Sequence, residues 1–222
     1  MNKKYGALTS GGKDSSYAIY LALKNGVNIA KLITIYPRRE DSYMYHSYNL
    51  HLLEFYSKAC GIPLVMQESS GIKEEELKDL KTAISRANVN GIITGAIASE
   101  YQTTRIKRIC SELGIEMLSP LWKKNEEQLL CDMVKAMEII VVHVAAEGLD
   151  ESWLGRKLDE AAINQLLKLR SKYRLNIVGE GGEYETFVVN APFFKKRINI
   201  KESKLKWQGN RGTLEIKAAE LV

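Results

Sequence analysis

The chain has 222 residues, with 32 lysines and arginines against 27 aspartates and glutamates, so its formal net charge is +5. Hydrophobic residues make up 45% and charged residues 27%, as in ordinary globular proteins, and no apolar run is long enough for a membrane helix. Three well-separated cysteines argue against a disulfide scaffold and a cysteine-based zinc site, and Gly11 interrupts any signal-peptide core, so we expect a cytoplasmic protein.

The first 120 residues alternate between short apolar runs and amphipathic stretches. The runs predict strands at 5–8, 29–36, 63–66 and 91–96, and the stretches predict helices at 15–24, 49–59, 73–87 and 99–113. Ser99 followed by Gln102 is a capping-box pattern at the start of the last of these helices. Strands that alternate with helices over short connections predict an α/β fold with a parallel sheet covered on both faces.

The regular alternation of strand and helix patterns changes after Pro120. Helices are predicted at 125–137 and 157–173, with a strand at 138–144 between them. From Ile177 onward the chain is strand-like, with turns at 181–182, 192 and 209–210. We therefore predict two domains, a nucleotide-binding domain at residues 1–120 and a smaller α+β domain at residues 121–222.

A glycine-rich loop, Ser10-Gly11-Gly12-Lys13-Asp14-Ser15, lies between the first strand and the first helix. Backbone N–H groups and the positive end of the helix dipole converge in such a loop and bind phosphate, and Lys13 adds a full charge. The loop is not a Walker A motif, because Ala7 stands where that motif needs glycine. Asp14 beside a triphosphate requires Mg²⁺ between them, so we predict that the loop binds ATP and that Asp14 binds the metal. The alternative is a tight turn that caps the helix without a ligand.

The hexapeptide resembles the pyrophosphate-binding loop of the N-type ATP pyrophosphatases. Enzymes of this superfamily cleave ATP between its α and β phosphates and adenylate a carbonyl or carboxyl oxygen. The resemblance implies a Rossmann-like fold of the PP-loop, adenine nucleotide alpha hydrolase-like type, with the nucleotide beside the first strand. Gly95 and Ala96, at the end of the fourth predicted strand, would then border the nucleotide.

Further stretches narrow the resemblance. They are residues 45–51 (YHSYNLH), 95–105 (GAIASEYQTTR), 148–156 (GLDESWLGR) and 179–187 (GEGGEYETF). With the first loop, these stretches resemble the diphthine–ammonia ligase (diphthamide synthase) family over essentially the whole chain, although Thr103 stands where we expect a basic residue. The resemblance implies that diphthine on elongation factor 2 is amidated through an acyl adenylate, with AMP and pyrophosphate released. Free ammonium is the expected nitrogen source, because no cysteine lies in a nucleophile turn.

Glu180, Glu183 and Glu185 place three carboxylates around the Gly181-Gly182 turn. Such a density of negative charge is unfavourable unless a cation is present. The resemblance implies that this acidic turn serves the trimethylammonium group of diphthine or the incoming ammonia, with Glu183 and Glu185 acting in catalysis beside Lys13 and Asp14. A solvated acidic turn is the alternative from the residues alone.

The resemblance also implies further substrate-binding residues. Two aromatic rings would face the quaternary ammonium, and polar residues from three stretches would contact the substrate; the set is Trp153, Tyr184, His46, Asn49, Tyr101, Gln102, Arg105 and Thr186. His143 lies in an apolar run and is expected to be a satisfied strand histidine. Two other functions stay open, namely another adenylating PP-loop enzyme such as a tRNA-modifying ligase, and a non-catalytic ATP-binding protein. We expect neither a nucleic acid nor a membrane as the main partner, and a homodimer is left open.

Overall fold

The computed structural model describes residues 3–37, 49–70 and 75–222. The elements of the first half are β1 (Lys4–Leu8), α1 (Lys13–Lys24), β2 (Asn28–Pro37), α2 (Leu52–Cys60), β3 (Leu64–Ser69), α3 (Glu75–Ala87), β4 (Gly91–Ile93), α4 (Glu100–Leu113) and β5 (Glu116–Leu118). The second half contains α5 (Glu126–Ala136), β6 (Glu138–Val144), a 3₁₀ turn (Glu151–Trp153), α6 (Glu160–Tyr173), β7 (Tyr184–Asn190), β8 (Ile198–Gln208) and β9 (Arg211–Leu221).

The first sheet confirms the predicted α/β fold. Its five strands are all parallel and lie in the order β3-β2-β1-β4-β5. Apolar residues of α1 and α2 join one core cluster with the sheet, whereas those of α3 and α4 join a second cluster, so both faces are covered. Because the strand order reverses at β1, the carboxyl ends of β1 and β4 lie side by side, which is where ligands bind in such sheets.

Two elements differ from the sequence prediction: one helix begins earlier than predicted, and one short strand was not predicted. The first helix begins at Lys13 rather than at residue 15, because Gly12 takes an extended N-cap conformation (φ −76°, ψ 167°). Lys13 and Asp14 therefore belong to the first turn of α1. The sequence also missed β5, whose three residues are too few to show a period.

The second half carries an antiparallel sheet with the order β7-β6-β9-β8. Its strand β6 has the predicted limits, and the predicted turns at 181–182 and 209–210 occur. Residues 177–180, before the first of these turns, were expected to be strand-like, and this was wrong, because β7 begins only at Tyr184. Gly179 and Gly182 adopt positive φ values of 72° and 83°, which turn the chain away from an extended path.

One hydrophobic core passes through both halves. Tyr56 of α2 is fully buried, and its hydroxyl lies 2.7 Å from Ser16 Oγ of α1. Its ring meets the edge of Phe187 in β7, with 6.4 Å between centroids. The second sheet is thus packed against the two helices that flank the glycine-rich loop. Among the described helices, none has the length and apolar character needed to cross a membrane.

Candidate functional site

The glycine-rich loop is held by a strand of the other half. Gly11 O accepts a hydrogen bond from the N–H of Val188 at 2.9 Å, and the N–H of Lys13 donates to Thr186 Oγ1 at 3.1 Å. Gly11 has φ +76°, and a Cβ there would lie 2.6 Å from the ring of Phe187. Glycine is therefore required at this position, both for its backbone conformation and for the close approach of β7.

Hydroxyl groups fix the remainder of the loop. Thr9 Oγ1 accepts the N–H of Gly11 at 3.0 Å and lies 3.1 Å from Ser15 Oγ. Ser15 Oγ in turn donates to Gly12 O at 3.1 Å. Thr9 directly precedes the motif and was not predicted as a site residue. The signal that could have found it is a hydroxyl two residues before a glycine, because the glycine N–H needs an acceptor.

The ammonium group of Lys13 is buried, with only 3% of the side chain exposed. Its Nζ lies 2.8 Å from Asp14 Oδ2 and donates to the carbonyl oxygen of Val178 at 2.5 Å. It also lies 5.3 Å from the ring centroid of Tyr184. A buried charge is tolerated only with such partners, so Lys13 joins the loop to residues 176–185, which we call the acidic segment.

Asp14 carries an oxygen atom that has no partner. Its Oδ2 pairs with Lys13, whereas Oδ1 is enclosed and makes no hydrogen bond within the described chain. Burial above all, and to a smaller extent the negative charge of Glu180, raises the pKa of the Asp14 carboxyl, although Lys13 opposes this. An enclosed carboxylate oxygen without a donor suits a cation, so the residue fits the Mg²⁺ that the loop type implies.

Two carboxylates of the acidic segment bind backbone amides. Glu180 Oε1 accepts the N–H groups of Ile97 and Ala98, at 3.1 and 2.8 Å. Glu183 closes its own turn, because its two oxygens accept from Asn176 N–H at 3.2 Å and from Gly181 N–H at 2.9 Å. Backbone hydrogen bonds therefore tie the segment to the end of β4 and close its own turn, although Glu180 is exposed to solvent.

The third carboxylate, Glu185, lies within β7. It is half-buried and stands directly opposite His143 of β6 in the antiparallel register. His143 is buried, with Nδ1 2.8 Å from Thr213 Oγ1, as expected of a satisfied strand histidine. The catalytic role of Glu185 stays a prediction.

The two aromatic rings predicted to face an ammonium group are buried. Trp153 is 5% exposed and carries the guanidinium of Arg156 at 4.8 Å from its ring centroid. Tyr184 is 3% exposed, and its hydroxyl donates to Ile177 O at 2.6 Å. Binding of an external quaternary ammonium to either ring would require the surrounding segment to move, and the predicted role of both rings stays a prediction.

The predicted residues of α4 lie together at its first turns. Arg105 stacks on Tyr101, with its guanidinium carbon 3.4 Å from the ring centroid. The N–H of Gln102 donates to Ser99 Oγ at 3.4 Å, which caps the helix as the sequence pattern indicated. Their substrate-binding role stays a prediction.

Two residues predicted from the stretch at 45–51 have different outcomes. Asn49 is buried and binds the backbone of β9 twice, donating to Leu214 O at 2.9 Å and accepting from Ile216 N–H at 2.8 Å. Both ends of its amide are therefore engaged within the chain. His46 lies outside the described residues.

Gly95, which follows β4, packs against the glycine-rich loop. A Cβ on Gly95 would lie 2.6 Å from the nitrogen of Ser15 and 2.7 Å from the carbonyl carbon of Asp14. Ala96 is buried beside it. Whether they contact a nucleotide stays a prediction. No group of three or more metal-ligating side chains occurs within residues 3–37, 49–70 and 75–222.

Comparison with known proteins gives matches over both halves. The family model "Diphthamide synthase N-terminal domain" matches residues 3–117, and "Diphthamide synthase C-terminal domain" matches residues 125–222. The diphthine–ammonia ligase of Bos taurus is 36% identical over 223 residues, which cover 90% of this chain and 83% of that protein. The Homo sapiens protein of the same name is 35% identical with the same coverage. A solved structure, described as a predicted subunit of tRNA methyltransferase from Methanocaldococcus jannaschii DSM, has a TM-score of 0.48 at 18% identity and covers 88% of this chain and 99% of its own.

Thr186→Val tests the bond between β7 and the loop. The substitution keeps the side-chain shape but removes the acceptor for the buried N–H of Lys13, so we expect the free energy of unfolding to fall by about 1–3 kcal/mol. Thr186→Ser keeps the hydroxyl and should lose less. Urea denaturation of both variants measures this, and equal losses would show that the hydroxyl is not the partner of the loop.

Gly95→Ala tests the contact between β4 and the loop. The added Cβ would meet backbone atoms that cannot rotate away, so we expect a loss of about 1–3 kcal/mol in the free energy of unfolding and weaker ATP binding by calorimetry. Gly209→Ala is the matched control, because it meets nothing within 4 Å but has φ +63°. It should lose about 1–2 kcal/mol without any change in ATP affinity. The same ATP affinity in both variants would contradict this.

Proposed function

The chain belongs to the diphthamide synthase family, and we propose that it is an ATP-dependent diphthine–ammonia ligase, which converts the carboxylate of diphthine on elongation factor 2 into the amide of diphthamide. The observation that carries the proposal is the direct contact between the glycine-rich loop and the acidic segment. The bond from the Lys13 ammonium group to the carbonyl oxygen of Val178 connects the two directly, and Thr186 of β7 holds the loop beside them. A loop suited to ATP and a segment suited to a cationic acceptor therefore form one site.

The loop residues 10–15 would hold the phosphates of ATP, since the helix N-terminus and Lys13 both place positive charge there. Asp14 would hold Mg²⁺ through its unpartnered Oδ1. The ion would supply positive charge that neutralises the phosphates. The chain itself has to place the acceptor carboxylate beside the α-phosphate and to keep water away from the product of that step.

In the proposed reaction, a carboxylate oxygen of diphthine bonds to the α-phosphorus, and the bond to pyrophosphate breaks. Ammonia then bonds to the acyl carbon, AMP leaves with the electrons of the broken C–O bond, and the nitrogen loses a proton. The chain contributes positioning and electrostatic stabilisation rather than covalent chemistry, through the loop amides and Lys13. The loop would retain the pyrophosphate until release.

The two buried thiols of the chain are poorly suited to releasing ammonia from glutamine, which is consistent with free ammonium as the nitrogen source. Cys60 and Cys110 are buried, and burial raises the pKa of both, that of Cys110 to about 11. A thiol with a raised pKa is a poor nucleophile at neutral pH. Neither of these two cysteines therefore suits glutamine hydrolysis or sulfur transfer.

The proposal is tested with diphthine-bearing elongation factor 2, ATP, Mg²⁺ and ammonium. We expect mass spectrometry to show replacement of the carboxyl OH by NH₂, with one AMP formed for each amide. Lys13→Met removes a charge at the developing pyrophosphate and should lower kcat by about 10²–10³-fold. Lys168→Met, on the exposed face of α6, is the control and should keep full activity.

Two other outcomes would contradict the proposal. AMP release without a change in mass would mean that another acceptor is adenylated. Binding of ATP without AMP under any of these conditions would indicate a non-catalytic ATP-binding protein.

Asp14→Asn tests the metal assignment. The amide cannot replace the charge of the carboxylate toward Mg²⁺, so we expect the midpoint of a Mg²⁺ titration, measured with a non-hydrolysable ATP analogue, to rise on the order of tenfold. Asp132→Asn is the control, because that carboxylate accepts from Gln128 on the exposed part of α5. A midpoint that is unchanged in Asp14→Asn would remove Asp14 from the metal site.

A further inference from the structure

We propose that the backbone N–H groups of Ile97 and Ala98 form a binding site for the acceptor carboxylate, and that the side chain of Glu180 fills this site while the acceptor is absent. The identity of the acceptor rests on the proposed function. The anion site itself rests on geometry within the chain. We call the two N–H groups the amide pair.

The amide pair has the geometry of an oxyanion site. One oxygen of Glu180 receives both hydrogen bonds, at 2.8 Å from Ala98 N and 3.1 Å from Ile97 N. Two N–H groups aimed at one oxygen favour an anion over a neutral acceptor, because charge-assisted hydrogen bonds are roughly twice as strong as neutral ones. A carboxylate of the chain already shows that the pair binds this group.

The amide pair lies beside the loop that would hold the α-phosphate. Gly95, two residues before Ile97, packs directly on the backbone of Asp14 and Ser15. The negative charge of Glu180 also acts on the carboxyl of Asp14. An acceptor carboxylate held by the amide pair would thus lie next to the first turn of α1, where the proposed reaction needs it.

Glu180 is suited to leave the amide pair. Its side chain is exposed, unlike that of Lys13, whose buried contacts anchor the same segment to the loop. It stands between Gly179 and Gly181, and Gly182 follows, so the backbone around it is unusually free. The segment can therefore stay anchored at Val178 while Glu180 exchanges with another carboxylate.

Glu180→Ala with acetate as the probe tests the anion site without any turnover. We expect the amide proton resonances of Ile97 and Ala98 to shift upfield in the variant and to move back downfield, to saturation, as acetate is added. Unsubstituted protein should respond only at acetate concentrations about threefold or more higher, because Glu180 competes for the site. Glu147→Ala, an exposed glutamate elsewhere, should behave like the unsubstituted protein. A response to acetate no larger than that to chloride in Glu180→Ala would overturn the anion site.

Kinetics of the intact enzyme test the role of Glu180 as an internal occupant. Removal of a competing occupant raises the fraction of competent enzyme, so Glu180→Ala should lower the KM for the protein acceptor by about threefold or more, with the KM for ATP unchanged. A permanent structural clamp would instead raise both KM values and lower kcat. A KM for the acceptor that is unchanged or raised would overturn the assignment. Saturable acetate binding in a chain with no ligase activity would refute the proposed function and leave the anion site standing.

Discussion

The structure depends on the burial of one positive charge. Lys13 is nearly inaccessible to solvent, and its ammonium group is satisfied by Asp14 on the same helix and by the carbonyl oxygen of Val178 from the other half. Loss of either partner would leave the ammonium group less well satisfied in the protein interior, which is unfavourable. The acidic segment must therefore lie against the glycine-rich loop whenever the loop is folded. Strand β7 adds two further hydrogen bonds to the loop, through Thr186 and Val188.

This arrangement explains why three glutamates can stand close together. Backbone N–H groups offset the negative charge of Glu180 and Glu183, because each side chain accepts hydrogen bonds from two of them. The segment thereby connects the end of β4 with the start of β7 and places acidic groups beside a loop that carries positive charge. A nucleotide and a cationic acceptor can meet at this junction.

The sequence predicts those features that depend on neighbouring residues. Periodicity identified the alternation of strands and helices, and a six-residue motif identified the loop, because both signals are local. The sequence alone could not identify contacts between residues that are distant along the chain. Glu180 lies 83 residues from Ile97, and Lys13 lies 165 residues from Val178, so neither bond leaves a local pattern. Asn49 is held by β9, 165 residues away, a contact that the local sequence does not indicate, and its predicted role in substrate binding stays a prediction. Residues 177–180 contain Ile177 and Val178, which favour strands, yet they form a loop whose contacts come from distant parts of the chain.

Hydrogen exchange of the intact chain tests most directly whether the loop and β7 form one unit. The informative amides are those of Lys13, which donates to Thr186, and Val188, which donates to Gly11. Because these bonds join the two halves, our account predicts that both amides exchange with the same free energy of opening, equal to that of global unfolding. Exchange of the Lys13 amide with a much smaller free energy, while Val188 stays protected, would show that the loop opens independently of β7 and would contradict the account.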